Sequence, residues 1–169
     1  MLRFVSALGP LVVLIGCASQ PPSTEADRTE IQAVYDSIAD GIEARDIDRV
    51  TAHSAEDARV EYADGRQLDL EDWKESARAK WANFRSAASN FVVTTVECND
   101  PGAIVTYLES DDLVIVDPAT SQQHRVEYEG EWCAQLLRTD EGWKLHRSVE
   151  QARRVKVDGK LVDETRRKP

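Results

Sequence analysis

The sequence predicts an α+β domain with helices packed on one face of a curved antiparallel sheet. Three observations carry this. Apolar residues recur at helical spacing in the first third of the mature chain, and period-2 alternation dominates from Phe91 onward. Short turns with Pro, Gly, Asn and Asp separate the alternating stretches, which joins four of them into a meander.

Ile31, Val34, Tyr35, Ile38 and Ile42 form one face of an amphipathic helix. Asp46 is placed to cap a second, shorter helix carrying Ile47 and Val50, because its carboxylate accepts an early orphan N–H. Val60 and Tyr62 then alternate with Arg59 and Glu61, and Asp64-Gly65 suits a tight turn, so a short hairpin is expected over 58–68. Asp69 caps a third helix, with Trp73, Ala77, Trp81 and Phe84 as its buried stripe.

The meander strands are expected at 91–97, 103–116, 125–138 and 143–157. Alternation puts Tyr128, Gly130, Trp132, Ala134 and Leu136 on the core face of the third. Trp143, Leu145 and Val149 do the same for the fourth, and their parity carries Arg147 inward. The row Glu127, Glu129, Glu131 falls on the opposite face, either solvated or opposite a basic neighbour such as Arg153, Arg154 or Lys156.

The chain has 169 residues with a formal charge of −10, which argues against a nucleic-acid partner. Its first residues are an address. Arg3 precedes an apolar run from Phe4 to Ile15, too short to span a bilayer at roughly 20 residues. Leu14-Ile15-Gly16-Cys17 resembles the lipobox of bacterial lipoproteins. That resemblance implies cleavage before Cys17, fatty acids on its sulfur and new amino group, and anchoring of the exported protein in a membrane. Ala18 in the next position implies the periplasmic face of an outer membrane. The alternative is an ordinary signal peptide cleaved nearby. The expected divisions are a signal over 1–16, a lipidated tether over 17–29, one domain over 30–160 and a polar tail over 161–169.

This order of elements, with Asp46-Ile47-Asp48 before the second helix and Asp140-Glu141-Gly142-Trp143-Lys144-Leu145 before the last strand, resembles the nuclear transport factor 2-like superfamily. The SnoaL-like and ketosteroid-isomerase-like domains are the nearest subgroup, over Glu30 to Val155. The resemblance implies a cone with a pocket between helices and sheet, and in many relatives a homodimer through the sheet. It does not carry isomerase chemistry across. Tyr62 stands where that subgroup has its base and Ile38 where it has its oxyanion tyrosine.

Candidate functional residues follow from residue type. Asp57, at the mouth of the hairpin, and Tyr35 are the weak catalytic candidates. Arg147 on an apolar strand face must pair with an acid such as Asp57 or Glu61, reach water, or clamp an anionic ligand. Tyr35, Tyr62 and Trp132 join it as candidate ligand-binding residues, though their spacing equally suits core. His53, His124 and His146 lie in three elements without metal-site spacing, so no metal or cofactor is expected. Cys98 should pair near Ala103 and Cys133 near Tyr107, two strands apart, which predicts free thiols.

Two functions stay open. One is a membrane-anchored module binding a small apolar or anionic ligand or a protein partner. The other is a SnoaL-like acid–base enzyme. A cone filled by tryptophans favours the module and a hollow cone with convergent polar groups favours the enzyme. The absence of a matched catalytic pair in the sequence places the module first.

Overall fold

A computed structural model describes residues 24–99 and 101–168. The lipobox and Cys17 lie outside the described residues. Among the described residues three helices, α1 (Glu25–Ala44), α2 (Ile47–Thr51) and α3 (Leu70–Trp81), accompany seven strands. These are β1 (Ser54–Glu61), β2 (Gln67–Asp69), β3 (Phe84–Asn99), β4 (Gly102–Val116), β5 (Gln123–Thr139), β6 (Gly142–Val157) and β7 (Lys160–Arg166).

The helix starts follow their caps. Thr24 and Asp27 form a reciprocal capping box on α1, Asp46 accepts from the N–H groups of Asp48 and Arg49, and Asp69 accepts from that of Asp72. The capping box extends α1 back to Glu25, into the stretch expected to be tether. Phe84 belongs to β3 and not to α3, because the helix ends at Trp81 and the chain straightens two residues later.

The sheet is curved and mixed, in the order β2-β1-β6-β5-β4-β3, with β7 also on β6. The meander from β3 to β6 is antiparallel, whereas β1 runs parallel to β6. The hairpin of β1 and β2 is therefore joined to the meander in one sheet. β1 takes the Leu145–Val149 stretch of β6, and β7 takes the remainder of that edge from Ala152 to Val157. Residues 161–166, expected to be polar tail, form most of β7. Asp158 and Gly159 take φ of 50° and 76°, the positive pair of a tight hairpin turn, so an Asp-Gly turn signal was present there too.

Two irregularities in β6 overturn the expected parity. Leu145 pairs with Leu136 but Arg147 with Gln135, so His146 is an extra residue. A second shift falls between Glu150 and Ala152. Each such bulge turns the following side chains to the other face. Ser148 and Glu150 point inward, while Arg147 and Val149 take the outer face.

The core lies between α1, α3 and the concave face of the sheet, with Ile31, Tyr35, Val105 and Leu136 almost wholly buried. The polar side of α1 covers the free edge of β3. The Gln32 amide donates to the Phe91 carbonyl at 2.8 Å and accepts from the Val93 N–H at 3.0 Å, and Arg28 donates to the Val93 carbonyl. Cys98 pairs with Ala103 and Cys133 with Thr106, and both thiols are free.

A hollow acidic and aromatic cone

The concave face of the sheet and the two longer helices enclose a cavity of about 320 Å³. Its walls are aromatic. Tyr35 from α1 lies against Tyr107 of β4 at 4.4 Å between ring centroids. Tyr107 stacks on Trp132 of β5 at 6.1 Å, and Tyr62 meets Trp132 edge-on. Trp73 and Trp81 of α3 close the helical side, also edge-to-face. Gly130 makes this packing feasible. A Cβ there would sit 2.5 Å from the Tyr128 hydroxyl and 2.6 Å from Trp132 Nε1, so only a glycine lets both ring tips lean over the strand.

Polar groups converge inside these walls. Along β4 the inward phase runs Ala103, Val105, Tyr107 and then continues with Glu109 and Asp111, so two carboxyls follow the core side chains into the cavity. Asp111 accepts from the Ser89 hydroxyl at 2.6 Å. Glu109 has no hydrogen bond or ion pair with any described residue, although it lies beside the Trp132 indole. The cost of burial, reinforced by Asp111 and Glu150, pushes the Glu109 carboxyl well above the usual carboxylate range. Burial likewise raises Asp111 to about 6, against the Ser89 hydrogen bond, which favours its ionised form. The Tyr35 hydroxyl, the Trp132 indole N–H and the Ser148 hydroxyl are buried without a partner among the described residues.

A third acid, Glu150, is fully buried behind this floor but saturated. It accepts from the Ala63 N–H, the Tyr128 hydroxyl and Arg153 at 2.7–3.0 Å. Arg153 in turn holds Asp163 of β7 and Asp64 of the β1–β2 turn. Arg59 and Lys80 are the cations of the lining, both exposed and without an ion pair among the described residues. Partial desolvation of the Lys80 ammonium, with Arg66 and Arg153 nearby, lowers its pKa against the attraction of Glu109 and Glu150.

Of the residues singled out in the sequence, the fold brings Tyr35, Tyr62 and Trp132 into the cavity wall and leaves two outside. Arg147 lies on the convex face. Its guanidinium contacts Glu61 Oε1 at 2.5 and 2.8 Å, and Arg167 takes Oε2 at 3.1 Å. The bulge at His146 put it there. Asp57 is exposed on the same outer face, 3.2 Å from His146 Nδ1. No histidine lines the cavity, and no group of metal-ligating side chains occurs among the described residues. The row of glutamates on β5 meets its basic neighbours within the sheet. Arg125 faces Glu127, Arg154 faces Glu129, and Arg166 of β7 faces Glu131.

Sequence reasoning missed Glu109, Asp111, Lys80 and Ser148. The two acids carried a usable signal, because they occupy the inward phase of an alternation that begins as pure core. Ser148 carried none, since its parity depends on the bulge.

No protein-family model and no curated protein match the sequence. Solved structures do. A candidate scytalone dehydratase from Novosphingobium aromaticivorans superposes with a TM-score of 0.69 at 14% identity, over 84% of this chain and 93% of that one. A hexachlorocyclohexane dehydrochlorinase gives 0.62 at 14% identity, over 85% and 94%. A nuclear transport factor 2-like superfamily protein from Salmonella enterica gives 0.62 at 10% identity, over 76% and 92%. These likenesses establish the fold.

Proposed function

With the nuclear transport factor 2-like fold as premise, we infer that the protein binds a small, largely apolar molecule inside its cone. One observation carries this: the cavity is hollow, at about 320 Å³, within the range of ~300–1,000 Å³ of small-molecule sites, with aromatic walls and a few convergent polar groups. An uncharged fluorescent probe, N-phenyl-1-naphthylamine, should brighten on binding. Ala77→Leu, which adds bulk from α3 into the cavity wall, should weaken that binding about tenfold or more while leaving the circular-dichroism spectrum unchanged. A wild-type protein that does not bind the probe overturns the reading.

Acid–base chemistry on the bound molecule is the second reading, and the raised Glu109 carboxyl favours it. A carboxyl whose pKa is raised by burial holds its proton more firmly and is a stronger base once ionised, the property that acid–base work on a bound molecule uses. It predicts that Glu109→Gln still binds N-phenyl-1-naphthylamine but loses turnover.

The domain works at a membrane in this proposal, held by lipid on Cys17 after export. Cys17→Ser should leave an unprocessed precursor and abolish labelling by a fatty-acid analogue. Unchanged labelling would sink the anchor while leaving the cavity untouched.

A further inference from the structure

We propose that the molecule held in the cone is an organic cation, an amine or quaternary ammonium group on a small apolar body. The inference rests on the cavity reading and narrows it to a charge class. Four features of the site point to it.

The first is the balance of charge. Glu109 and Asp111 both face the cavity, and neither forms an ion pair with any described residue. The third inward acid, Glu150, is already neutralised by Arg153 and two neutral donors, so it asks for nothing more. The second is the wall. Tyr35, Tyr62, Phe91, Tyr107, Tyr128 and Trp132 all line the cavity with the two carboxyls, and an alkylammonium seated against such ring faces is attracted by their quadrupoles. Where arginines already lie over aromatic rings in this protein, Arg66 over Tyr62 and Arg138 over Trp143, they do so on the protein's own account at 4.3 and 4.9 Å.

The third feature is independent of the acids. Tyr35 and Ser148 belong to the cavity wall and are 1% and 3% exposed, and their hydroxyls are buried without a partner among the described residues. A hydroxyl accepts as well as donates, so both suit the N–H groups of an ammonium or a hydroxyl on the ligand. The fourth feature excludes the opposite charge. The arginine that suggested an anionic ligand, Arg147, lies on the convex face with Glu61, and the two cations of the lining, Arg59 of β1 and Lys80 of α3, belong to exposed residues at the rim, away from the carboxyl floor. An anion inside would meet two carboxyls at close range.

The charged and titratable groups around Glu109 set the pH dependence. They are Asp111 and Tyr107 on β4, Tyr128 on β5, Glu150 and Arg153 on β6, Arg59 on β1 with Tyr62 just after it, Lys80 on α3 and Tyr35 on α1. Asp111, raised to about 6, ionises as the pH rises from 5 to 8. That change favours a bound cation, so its affinity should rise several-fold over that range.

The test compares isosteres on the mature protein: benzyltrimethylammonium, its uncharged carbon analogue neopentylbenzene, and 3-phenylpropionate as the anion. Binding is read by tryptophan fluorescence and by calorimetry. The cation should bind at least tenfold more tightly than the neutral analogue at pH 8, and the anion most weakly. The Glu109→Gln/Asp111→Asn variant should reduce the cation's preference to about onefold. That variant removes charge from the interior, so it should fold at least as well as wild type. Asp112→Asn, on the outer face of the same strand, should leave the preference unchanged, and Lys80→Met should strengthen cation binding. If the neutral analogue binds as well as the cation, the charge class is wrong and the cavity reading stands. If the anion binds best and Lys80→Met weakens it, Lys80 is the ligand's partner and the inference is reversed. Should no probe bind, N-phenyl-1-naphthylamine included, both readings fall together.

Discussion

Glu61 and Arg147 illustrate how one buried carboxylate is paired at the edge of the core. Glu61 is only 6% exposed, and three N–H groups from Arg147 and Arg167 cover both its oxygens. Arg147 is itself half exposed, which reduces the Coulombic part of the pair, but its removal leaves Glu61 with one partner. Arg147→Met should therefore lower stability by about 1–3 kcal/mol, read as a fall of several degrees in the thermal midpoint without ligand. Ligand affinity in the cone should not change. An unaltered midpoint would mean that Arg167 alone satisfies Glu61. Residue-scale legibility was uneven here. Residue type alone said that an arginine next to core residues must find an acid or water, and Glu61 was among its foreseen partners. The inward direction came from parity, and a single inserted residue reversed it.

At the scale of elements, the edge of the sheet is protected by a helix. β3 is long and lies at the end of the strand order, so its outer N–H and C=O groups would otherwise be open to pairing with another chain. Gln32 closes two of them, Arg28 accounts for the Val93 carbonyl, and Glu43 accepts from the Ser89 N–H. The α1 helix thus contributes its apolar stripe to the core and its polar flank to the strand edge. Gln32→Leu should cost about 1–2 kcal/mol through the orphaned Phe91 and Val93 groups. It should also speed hydrogen exchange at the Val93 amide more than at amides of β5. Equal protection in the variant would show that α1 packing alone shields the edge. The elements themselves were well marked in the sequence, because caps and turns are local. Asp46 and Asp69 start their helices as expected, whereas the Thr24 box and the Asp158-Gly159 turn are equally local signals that lay in stretches too polar to draw attention.

For the molecule as a whole, the hollow interior is held at a cost that depends on pH. Asp111 has a folded-state pKa of about 6, above its ordinary value of 3.8, so the folded protein binds this proton more tightly than the unfolded chain does. The sign follows. The stabilising effect of that proton is complete below pH 3.8 and is lost as the pH rises through 6. Asp111→Asn removes the penalty, so the variant should be more stable than wild type by roughly 1–3 kcal/mol at pH 8, with the difference shrinking toward zero below pH 4. Denaturant titrations at both pH values check this, and a variant less stable at pH 8 would place the ionised Asp111 in a favourable contact. What the sequence by itself determined is the class of the fold, the faces of α1 and α3, and the run of strands after Phe91, because periodicity, caps and turn residues act over a few neighbours. Only the tertiary structure decided that the cone is hollow, that Glu109 and Asp111 share it with nine aromatic side chains, and that Arg147 stands outside. Those facts depend on register between strands distant in sequence and on bulges that shift parity. Local pattern does not contain them, since each is set by the contact of one element with another.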